Sequence, residues 1–348
     1  MNIEVVSARA LDSTLRDRWQ QLQQSNPSLE SPYFCIEFTE AVAQTRTDVE
    51  VALIKAGGEV VAFFPFQRNR WSVGKPVGGM ISDYQGIICE PDFACDPTEL
   101  LKACSLLAWD FDHLLVSQSF FATYHRHQEG SPILDLSEGY EAYARQTHAA
   151  RGKLSKLQRL LEREVGPLRF VLHSNDASDF EQVLGWKSAQ YKRTGIKDIF
   201  TNDWVRQTLE RIHATQGKKL SGMLSLLYAG ERLIAGHFGM RTSRTWHYWF
   251  PAYDPDYSRY SPGFTLLLKM AESAPGMGIK TIDLGKGMSS YKERLKNGHV
   301  MIADGSVEPS SLLKLGRQLK KRSRTALREL LLRTPLDQPT RKLVNYFR

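Results

Sequence analysis

The sequence predicts a mixed α/β protein built from two similar units. Residues 51–68 (VALIKAGGEVVAFFPFQR) and 224–241 (LSLLYAGERLIAGHFGMR) align without a gap at an offset of 173 residues. Each segment has two apolar runs joined by a short turn that contains glycine, which is the pattern of a β-hairpin. The same offset relates Asp83-Tyr84 to Asp256-Tyr257, so the repeat extends beyond the hairpins.

The elements after each hairpin are expected in the same order. A strand, a helix and a strand are predicted over residues 80–89, 97–109 and 113–117, and again over residues 245–253, 262–274 and 279–284. Between the units, helices are expected over residues 140–164 and 177–193, with a short strand over residues 169–173. This order favours a mixed α/β fold with a mixed sheet.

Domain boundaries are predicted near residues 150 and 308. They give a first unit over residues 1–150, a second unit over residues 151–308 that carries the candidate site, and a basic tail over residues 309–348. A final helix is expected to begin near Ser311. The tail accounts for all of the +8 formal net charge of the chain. Residues 311–348 contain eleven Lys or Arg, and their only acidic residues are Glu329 and Asp337. Because the rest is nearly neutral, a nucleic-acid groove along the whole protein is not expected.

Composition predicts a cytoplasmic protein without a metal site. Hydrophobic residues make up 42% of the chain, which is enough for two buried cores. No apolar run approaches the roughly 20 residues needed to span a bilayer, and the first residues lack the pattern of a secretory signal. The cysteines lack the paired spacing of metal ligands and are expected as free thiols in a reducing compartment: Cys35, Cys89, Cys95 and Cys104.

The start of the helix predicted at residue 262 is the first candidate site. Ser261 is expected to cap the helix, and Pro262 suits its first turn because no N–H is needed there. Gly263 allows a ligand close to the backbone, and Arg259 lies beside it. Free N–H groups at such a helix start bind anions such as a pyrophosphate. A well-capped core helix would show the same pattern.

The turn after the last predicted strand is the second candidate. Gly285 and Gly287 follow the strand, and Ser290 with Glu293 forms a capping box for a new helix. Ligands gather at the carboxyl ends of strands in α/β sheets. The side chains expected to face that crevice are Asp283, Lys286, Tyr291 and Lys292, and Lys292 could pair with a phosphate or stabilise an oxyanion. Asp283 could equally well serve only to anchor the turn, and Lys292 could be an ordinary solvated lysine.

Two further groups complete the candidates. His237, among small neighbours in a predicted strand, could act as a general base, although a lone strand histidine is more often structural. Lys187, Gln190 and Tyr191 share one helix face at i, i+3 and i+4. This polar cluster suits a sugar or a phosphate, although a solvated helix face would show the same spacing. Further residues that follow it or could line the same cleft are Arg193, Asp198, Trp249 and Tyr253.

Four segments together resemble the CelD/BcsL-like group of GNAT N-acetyltransferases, which is linked with cellulose and other exopolysaccharide biosynthesis. They are KSAQYKRTGIKDIF (187–200), LIAGHFGMR (233–241), HYWFPAYDPDYSRYSPG (247–263) and IDLGKGMSSYKERL (282–295). In the first half, SPYF (31–34), AFFPFQR (62–68) and DYQG (83–86) also resemble this group. The group is related to the FemAB peptidyltransferases, which share the doubled GNAT plan but use aminoacyl-tRNA as donor.

The resemblance implies two tandem GNAT-like units and acyl-CoA as co-substrate, with no metal. GNAT enzymes hold the acyl-CoA pyrophosphate at a loop–helix start with an Arg/Gln-x-x-Gly-x-Gly/Ala pattern, of which residues 259–263 keep one glycine. By resemblance, the donor would bind at Arg259, Ser261, Gly263 and Phe264. The reaction site would be lined by Lys187, Arg193, His237, Asp283, Tyr291 and Lys292.

The leading hypothesis is acyl transfer from acyl-CoA to an amine or hydroxyl of a small or sugar-linked acceptor. No signature of a nucleophilic cysteine or serine is present, so direct attack by the acceptor is expected. One alternative is Fem-type transfer from aminoacyl-tRNA, the only case in which a nucleic-acid partner is expected. Another is a non-catalytic partner of a membrane polysaccharide synthase, with the leucine-containing basic tail lying on the inner membrane face.

Overall fold

A single sheet of 13 strands runs through the computed structural model, which describes residues 2–287 and 290–309. The strands are β1 (Asn2–Ser7), β2 (Val49–Ala56), β3 (Glu59–Arg68), β4 (Val73–Lys75), β5 (Ile88–Cys89), β6 (Ala108–Leu115), β7 (His125–Asp135), β8 (Leu168–Val171), β9 (Ser221–Ala229), β10 (Arg232–Arg241), β11 (Thr245–Tyr253), β12 (Thr281–Asp283) and β13 (Gly298–Val307). The helices are α1 (Ser13–Ser25), α2 (Ile36–Thr45), α3 (Pro97–Ala103), α4 (Tyr140–Gln146), α5 (His148–Glu164), α6 (Ala177–Thr194), α7 (Asp203–Ala214), α8 (Pro262–Ser273) and α9 (Ser290–Leu295).

The strand order repeats the same plan in the two halves of the chain. Along the sheet the order is β1-β2-β3-β4-β6-β13-β7-β12-β11-β10-β9-β8, with β5 beside β3. Strands β1 to β4 pair antiparallel and β4 then pairs with β6 in parallel. Likewise β8 to β11 pair antiparallel and β11 then pairs with β12 in parallel. The predicted mixed α/β fold with two similar units is confirmed.

The halves are joined by an exchange of strands. β7 follows β6 in the chain, yet it pairs with β12 of the second half. β13, the last described strand, lies between β6 and β7. The predicted boundary near residue 150 falls inside α5. Neither half therefore contains all the strands of its own part of the sheet.

Both predicted hairpins are present, because glycine occupies the turn positions that need a left-handed backbone. Gly57 and Gly58 have φ of 59° and 91° between β2 and β3, and Gly230 has φ of 56° between β9 and β10. The strand predicted over residues 245–253 and the helix predicted from residue 262 match β11 and α8.

Two elements predicted in the first half are wrong in extent. Residues 80–89 form a 3₁₀ turn and a loop, with only β5 as strand, because side chains of the loop bind the backbone: Ser82 Oγ donates to the Tyr84 carbonyl at 2.9 Å. The helix expected over residues 97–109 ends at Ala103, since Ser105 has a left-handed φ of 52° and β6 begins at Ala108. Residues 310–348, with the helix predicted near Ser311, lie outside the described residues.

One apolar core crosses from the first half to the second. It includes Trp19 and Phe38 of the first half and Val183, Phe238 and Trp249 of the second. Phe38 and Trp249 pack edge to face, with ring centroids 6.4 Å apart. Burial of this shared apolar surface fixes the halves against each other and sets the geometry of the groups between them. In the described part of the chain, no helix has the length and apolar character that a membrane crossing requires.

Candidate functional site

The sheet divides between β11 and β12. These parallel strands pair only over Thr245–His247 and Thr281–Asp283. Beyond that point β11 continues to Tyr253, while the other chain turns away at Gly285 and Gly287, which have φ of 71° and 90°. Among the pairings described, the edge of β11 after His247 therefore faces no strand on the β12 side, and an extended ligand can bind to it.

A buried histidine lies between two carboxylates at the base of this division. His247 on β11 has no exposed side-chain surface. Its Nε2 lies 2.9 Å from Asp83 Oδ2, and its Nδ1 lies 3.6 Å from Asp283 Oδ1. Asp283 Oδ1 also accepts the N–H of Gly285 at 2.7 Å. Asp83 comes from the loop after the first-half 3₁₀ turn, so this cluster joins the two halves.

The electrostatics favour a charged imidazolium in this cluster. Burial lowers the pKa of His247, but the charges of Asp283 and Asp83 and the hydrogen bond with Asp83 outweigh it and raise the pKa to about 9. Burial would raise the pKa of Asp83, yet the His247 hydrogen bond and charge hold it below its usual range. These pKa directions favour, at neutral pH, a protonated His247 that donates from Nε2 to an ionised Asp83.

Two tyrosines from the first half cover the cluster. The Tyr33 ring meets the His247 ring edge-on at 5.0 Å between centroids. Burial first, and then the Asp83 charge, raises the pKa of Tyr33; burial and Asp283 do the same for Tyr84. Within the described residues, the buried hydroxyls of Tyr33 and Tyr84 have no partner at normal hydrogen-bond geometry. The interior beside Asp283 is therefore polar and incompletely paired.

Two lysine amines lie on the open side of the cluster. Lys292 Nζ donates to the carbonyls of Gly285 at 2.9 Å and Lys286 at 3.1 Å, and burial lowers its pKa although Asp83 and Asp283 oppose the shift. Lys187 Nζ donates to the Pro251 carbonyl at 3.2 Å. Burial and the Lys292 charge lower the pKa of Lys187 to about 8.

Tyr191 links the lysines with the carboxylate. Lys187 Nζ lies 5.3 Å from the centre of the Tyr191 ring. Burial, followed by the charge of Asp83, raises the pKa of Tyr191 to about 12. The structure thus brings four of the predicted residues together around Asp83 and His247: Lys187, Tyr191, Asp283 and Lys292.

The general-base role predicted for His237 does not fit its environment. The side chain is fully buried, and its Nε2 accepts the backbone N–H of Trp249 at 3.1 Å. Its ring stacks on Tyr248 with centroids 4.6 Å apart. Burial, with the nearby His247 charge, lowers the pKa of His237 to about 3. His237 is a neutral structural residue that fills the irregular pairing between β10 and β11.

The start of α8 differs from the prediction at two residues. Ser261 takes a left-handed φ of 54° and its side chain makes no capping bond; its carbonyl instead accepts the N–H of Phe264 at 3.0 Å. Arg259 pairs with Glu164 at 2.9 Å and lies over the ring of Tyr260, so it is already engaged. Pro262 stands at the first helical position as predicted.

The remaining predicted residues lie at the edges of the site or away from it. Phe264 contacts the Tyr291 ring at 5.6 Å between centroids, and Gly263 lies beside the exposed Tyr253. Trp249 is buried against Tyr33. Gln190 is half-buried and Arg193 is exposed on the α6 face, whereas Asp198 caps the 3₁₀ turn that follows by accepting the Phe200 N–H at 3.0 Å. Among the described residues, no cluster has the arrangement of a metal site.

The central residues Asp83, His247 and Tyr33 are absent from the candidates drawn from the sequence. Asp83 belongs to the repeated Asp-Tyr pair, and Tyr33 belongs to the SPYF segment. These signals single out the positions but do not show that the residues come into contact, since Asp83 and His247 are 164 residues apart in the chain. His247 lies inside a resembling segment, HYWFPAYDPDYSRYSPG, but nothing in its local pattern sets it apart from the aromatic residues that follow.

Comparison with known proteins assigns the second half. Residues 148–293 match a family model described as an acetyltransferase (GNAT) domain. This segment is a GNAT acetyltransferase domain. It makes the chain an acyltransferase, and it implies acyl-CoA as the co-substrate. The GNAT domain contains Lys187, His247, Asp283 and Lys292, whereas Asp83 precedes it.

Solved structures resemble the chain at low sequence identity. FemX has 10% identity and a TM-score of 0.60, over 91% of this chain and 99% of its own. A conserved protein of unknown function from Bacteroides thetaiotaomicron has 10% identity and a TM-score of 0.55, over 87% of this chain and 100% of its own. The tandem GNAT protein from the clavulanic acid biosynthesis pathway has 12% identity and a TM-score of 0.49, over 89% and 99%. The first two show that the shared fold extends beyond the GNAT domain. Among curated proteins, no sequence matches the chain.

Proposed function

We propose that the chain transfers an acyl group from acyl-CoA to an amine or hydroxyl of a sugar or polysaccharide precursor, in cellulose or other exopolysaccharide biosynthesis. The observation that carries this proposal is the open edge of β11 beside two half-buried lysine amines and an ionised carboxylate. The edge suits the amide-containing arm of acyl-CoA, and the charged groups suit the reacting end.

The donor is expected to extend from the open edge of β11 to the start of α8. Amides of the donor's pantetheine arm can pair with backbone groups of β11 other than the Pro251 carbonyl and the Trp249 N–H, which Lys187 and His237 bind. The pyrophosphate would meet the first turn of α8, where Gly263 carries no side chain and the helix end is electropositive. Because Arg259 is paired with Glu164, the backbone is expected to supply most of this contact.

The acceptor is expected on the side of α6. The nucleophilic nitrogen or oxygen attacks the thioester carbonyl carbon, the carbon–sulfur bond breaks, and CoA leaves as a thiolate while the acceptor loses one proton. Lys187 and Lys292 would stabilise the oxyanion that develops on the carbonyl oxygen. The ring of Tyr191 and the exposed ring of Tyr253 offer apolar faces to a sugar.

Replacement of Gly263 by Glu tests the donor site. Calorimetric titration of the wild-type chain with acetyl-CoA is expected to show binding, and Gly263→Glu is expected to weaken it at least about 10-fold, because a carboxylate at the helix start repels the pyrophosphate. The substitution itself suits the first turn of a helix, so the melting temperature should not fall. Release of free CoA thiol with an amino sugar as acceptor would report turnover.

Ser178→Glu is the matched control, since it adds the same charge to the exposed first turn of α6. It is expected to leave acetyl-CoA binding unchanged. Absence of wild-type binding at millimolar acetyl-CoA would refute acyl-CoA as the donor and would favour an aminoacyl-tRNA donor. Equal weakening by both variants would refute the placement at α8.

A further inference from the structure

We propose that Asp83, supplied by the first half, holds the acceptor and takes its proton, and that His247 and Asp283 behind it form a buried relay that positions Asp83. The proposal rests on the acyl transfer proposed above. It assigns a catalytic residue outside the GNAT domain and gives the first half a defined part in the reaction.

Asp83 is the member of the relay that reaches the open site. Its side chain is 28% exposed, compared with 4% for Asp283 and none for His247. Oδ2 is held by His247, while Oδ1 lies 3.8 Å from His113 Nε2. The charge of Asp83 raises the pKa of Tyr191 and opposes the lowering of the Lys292 pKa by burial, so the carboxylate interacts with residues expected at the acceptor.

The buried residues behind Asp83 restrict its position, and its direct partner is His247. His247 touches no solvent, so it acts on the acceptor only through Asp83. Asp283 faces the opposite nitrogen of His247 and is fixed by the Gly285 N–H. The buried Tyr84 hydroxyl lies beside Asp283 and Ser131. A carboxylate held in this way loses little freedom when the acceptor binds, which favours the transition state.

The loop that carries Asp83 is fastened inside the first half. Gln85 donates its N–H to the His113 carbonyl at 3.0 Å and bridges to Leu114 in parallel. The Gln118 side chain binds both backbone groups of Ile87, at 2.9 and 2.6 Å. The parallel pair β4–β6 of the first half corresponds to the parallel pair β11–β12 of the second half. Beyond the end of β4, this loop continues beside β6. The first half thus fills its own division with the segment that presents Asp83.

The second half is shaped to receive this carboxylate. A Cβ on Gly285 would lie 2.8 Å from Asp83 Oδ2, and the φ of 71° at Gly285 is itself unfavourable for other residues. A side chain at this turn would push against Asp83 Oδ2 and strain the backbone, so glycine favours the approach of Asp83 to His247. The fit between Gly285 and Asp83 supports a role for the loop in the site of the second half.

The chemistry of the transfer suits a carboxylate of low basicity. As the acceptor nitrogen or oxygen bonds to the carbonyl carbon, its hydrogen becomes acidic enough for Asp83 to accept. The carbon–sulfur bond breaks and CoA leaves as a thiolate. The proton then passes from Asp83 to that thiolate or to water, which returns the carboxylate to its ionised form. One acyl-CoA per chain is expected.

Asp83→Asn tests the catalytic role. It is expected to lower kcat by about 10²–10⁴-fold while acetyl-CoA binds as in the wild type, and Asp83→Glu should recover part of the loss. Asp17→Asn, which changes an exposed carboxylate on α1, is the matched control and should keep full activity. An unchanged kcat in Asp83→Asn would overturn the role of Asp83, as would loss of acetyl-CoA binding together with activity.

Asp283→Asn tests the relay by a signal that a purely structural role would not move. Among the described residues, the titratable groups that interact with His247 or its carboxylates are Asp83, Asp283, His113, His237, Lys292, Tyr33, Tyr84 and Tyr191. In histidine-labelled protein, the imidazolium resonance of His247 should persist above pH 8 in the wild type and titrate at lower pH in Asp283→Asn.

Failure of the relay and failure of the proposed function give different results. If the wild-type chain neither binds acetyl-CoA nor releases its thiol, the function is wrong, yet the histidine signal still reports the relay. A wild-type His247 that titrates near its ordinary value, or that does not respond to Asp283→Asn, would overturn the relay whichever donor the chain uses. Circular dichroism of each variant separates these results from unfolding.

Discussion

Lys187→Met is expected to stabilise the protein while lowering its activity about 100-fold or more. Burial lowers the pKa of Lys187 to about 8, so at pH 7 the folded protein holds a charged amine in a site that disfavours it. The folded pKa lies below the unfolded value, and stability therefore rises as pH increases from about 8 towards the unfolded pKa. Methionine has a similar length and no charge, so the cost of burying the amine disappears.

Activity is expected to fall because, in the proposed function, the same amine would face the reacting end of the donor. Its hydrogen bond to the Pro251 carbonyl places it at the open edge of β11, where a cation stabilises the developing oxyanion. The melting temperature and the rate of thiol release would be measured at pH 7 for both proteins. Lys192→Met, an exposed residue of the same helix, is the control and should change neither. A lower melting temperature, or unchanged turnover, in Lys187→Met would contradict this account.

Local patterns in the sequence predict most of the second half. Glycine turns between apolar runs predict both hairpins, and Pro262 marks the start of α8. The predicted strand over residues 245–253 coincides with β11. These elements are determined by residues close in the chain, so a sequence pattern suffices for them.

The exchange of strands between the halves and the set of residues that meet in the site cannot be predicted from local sequence patterns. β13 pairs with β6 and β7, which precede it by more than 160 residues, for example Gly298 with Ile133. The pairing of Asp83 with His247 also spans the two halves. Lys187 and Lys292 are predicted from local patterns, because Lys187 shares a helix face with other polar residues and Lys292 follows a glycine turn at the end of a strand. His247 is not, since its role depends on a loop from the other half.

His247→Gln is expected to lower the free energy of unfolding at pH 6 to 7 by about 3–5 kcal/mol, because removal of the imidazolium leaves Asp83 and Asp283 without their shared partner. In the wild type, the pKa of His247 is raised from about 6.5 in the unfolded chain to about 9 in the fold. The stabilisation is therefore complete below pH 6.5 and is lost as pH rises through 9.

The difference between wild type and variant should consequently shrink by about 3 kcal/mol between pH 6.5 and 9.5. Urea unfolding at several pH values measures it directly, and the comparison cancels groups that titrate alike in both proteins, such as Lys187. His127→Gln, an exposed histidine on β7, is the control and should show no such gap. A gap that stays constant with pH would mean that His247 is neutral in the fold. In that case Asp83 would be held by an ordinary hydrogen bond, and the charge that joins the two halves would have to come from the lysines instead.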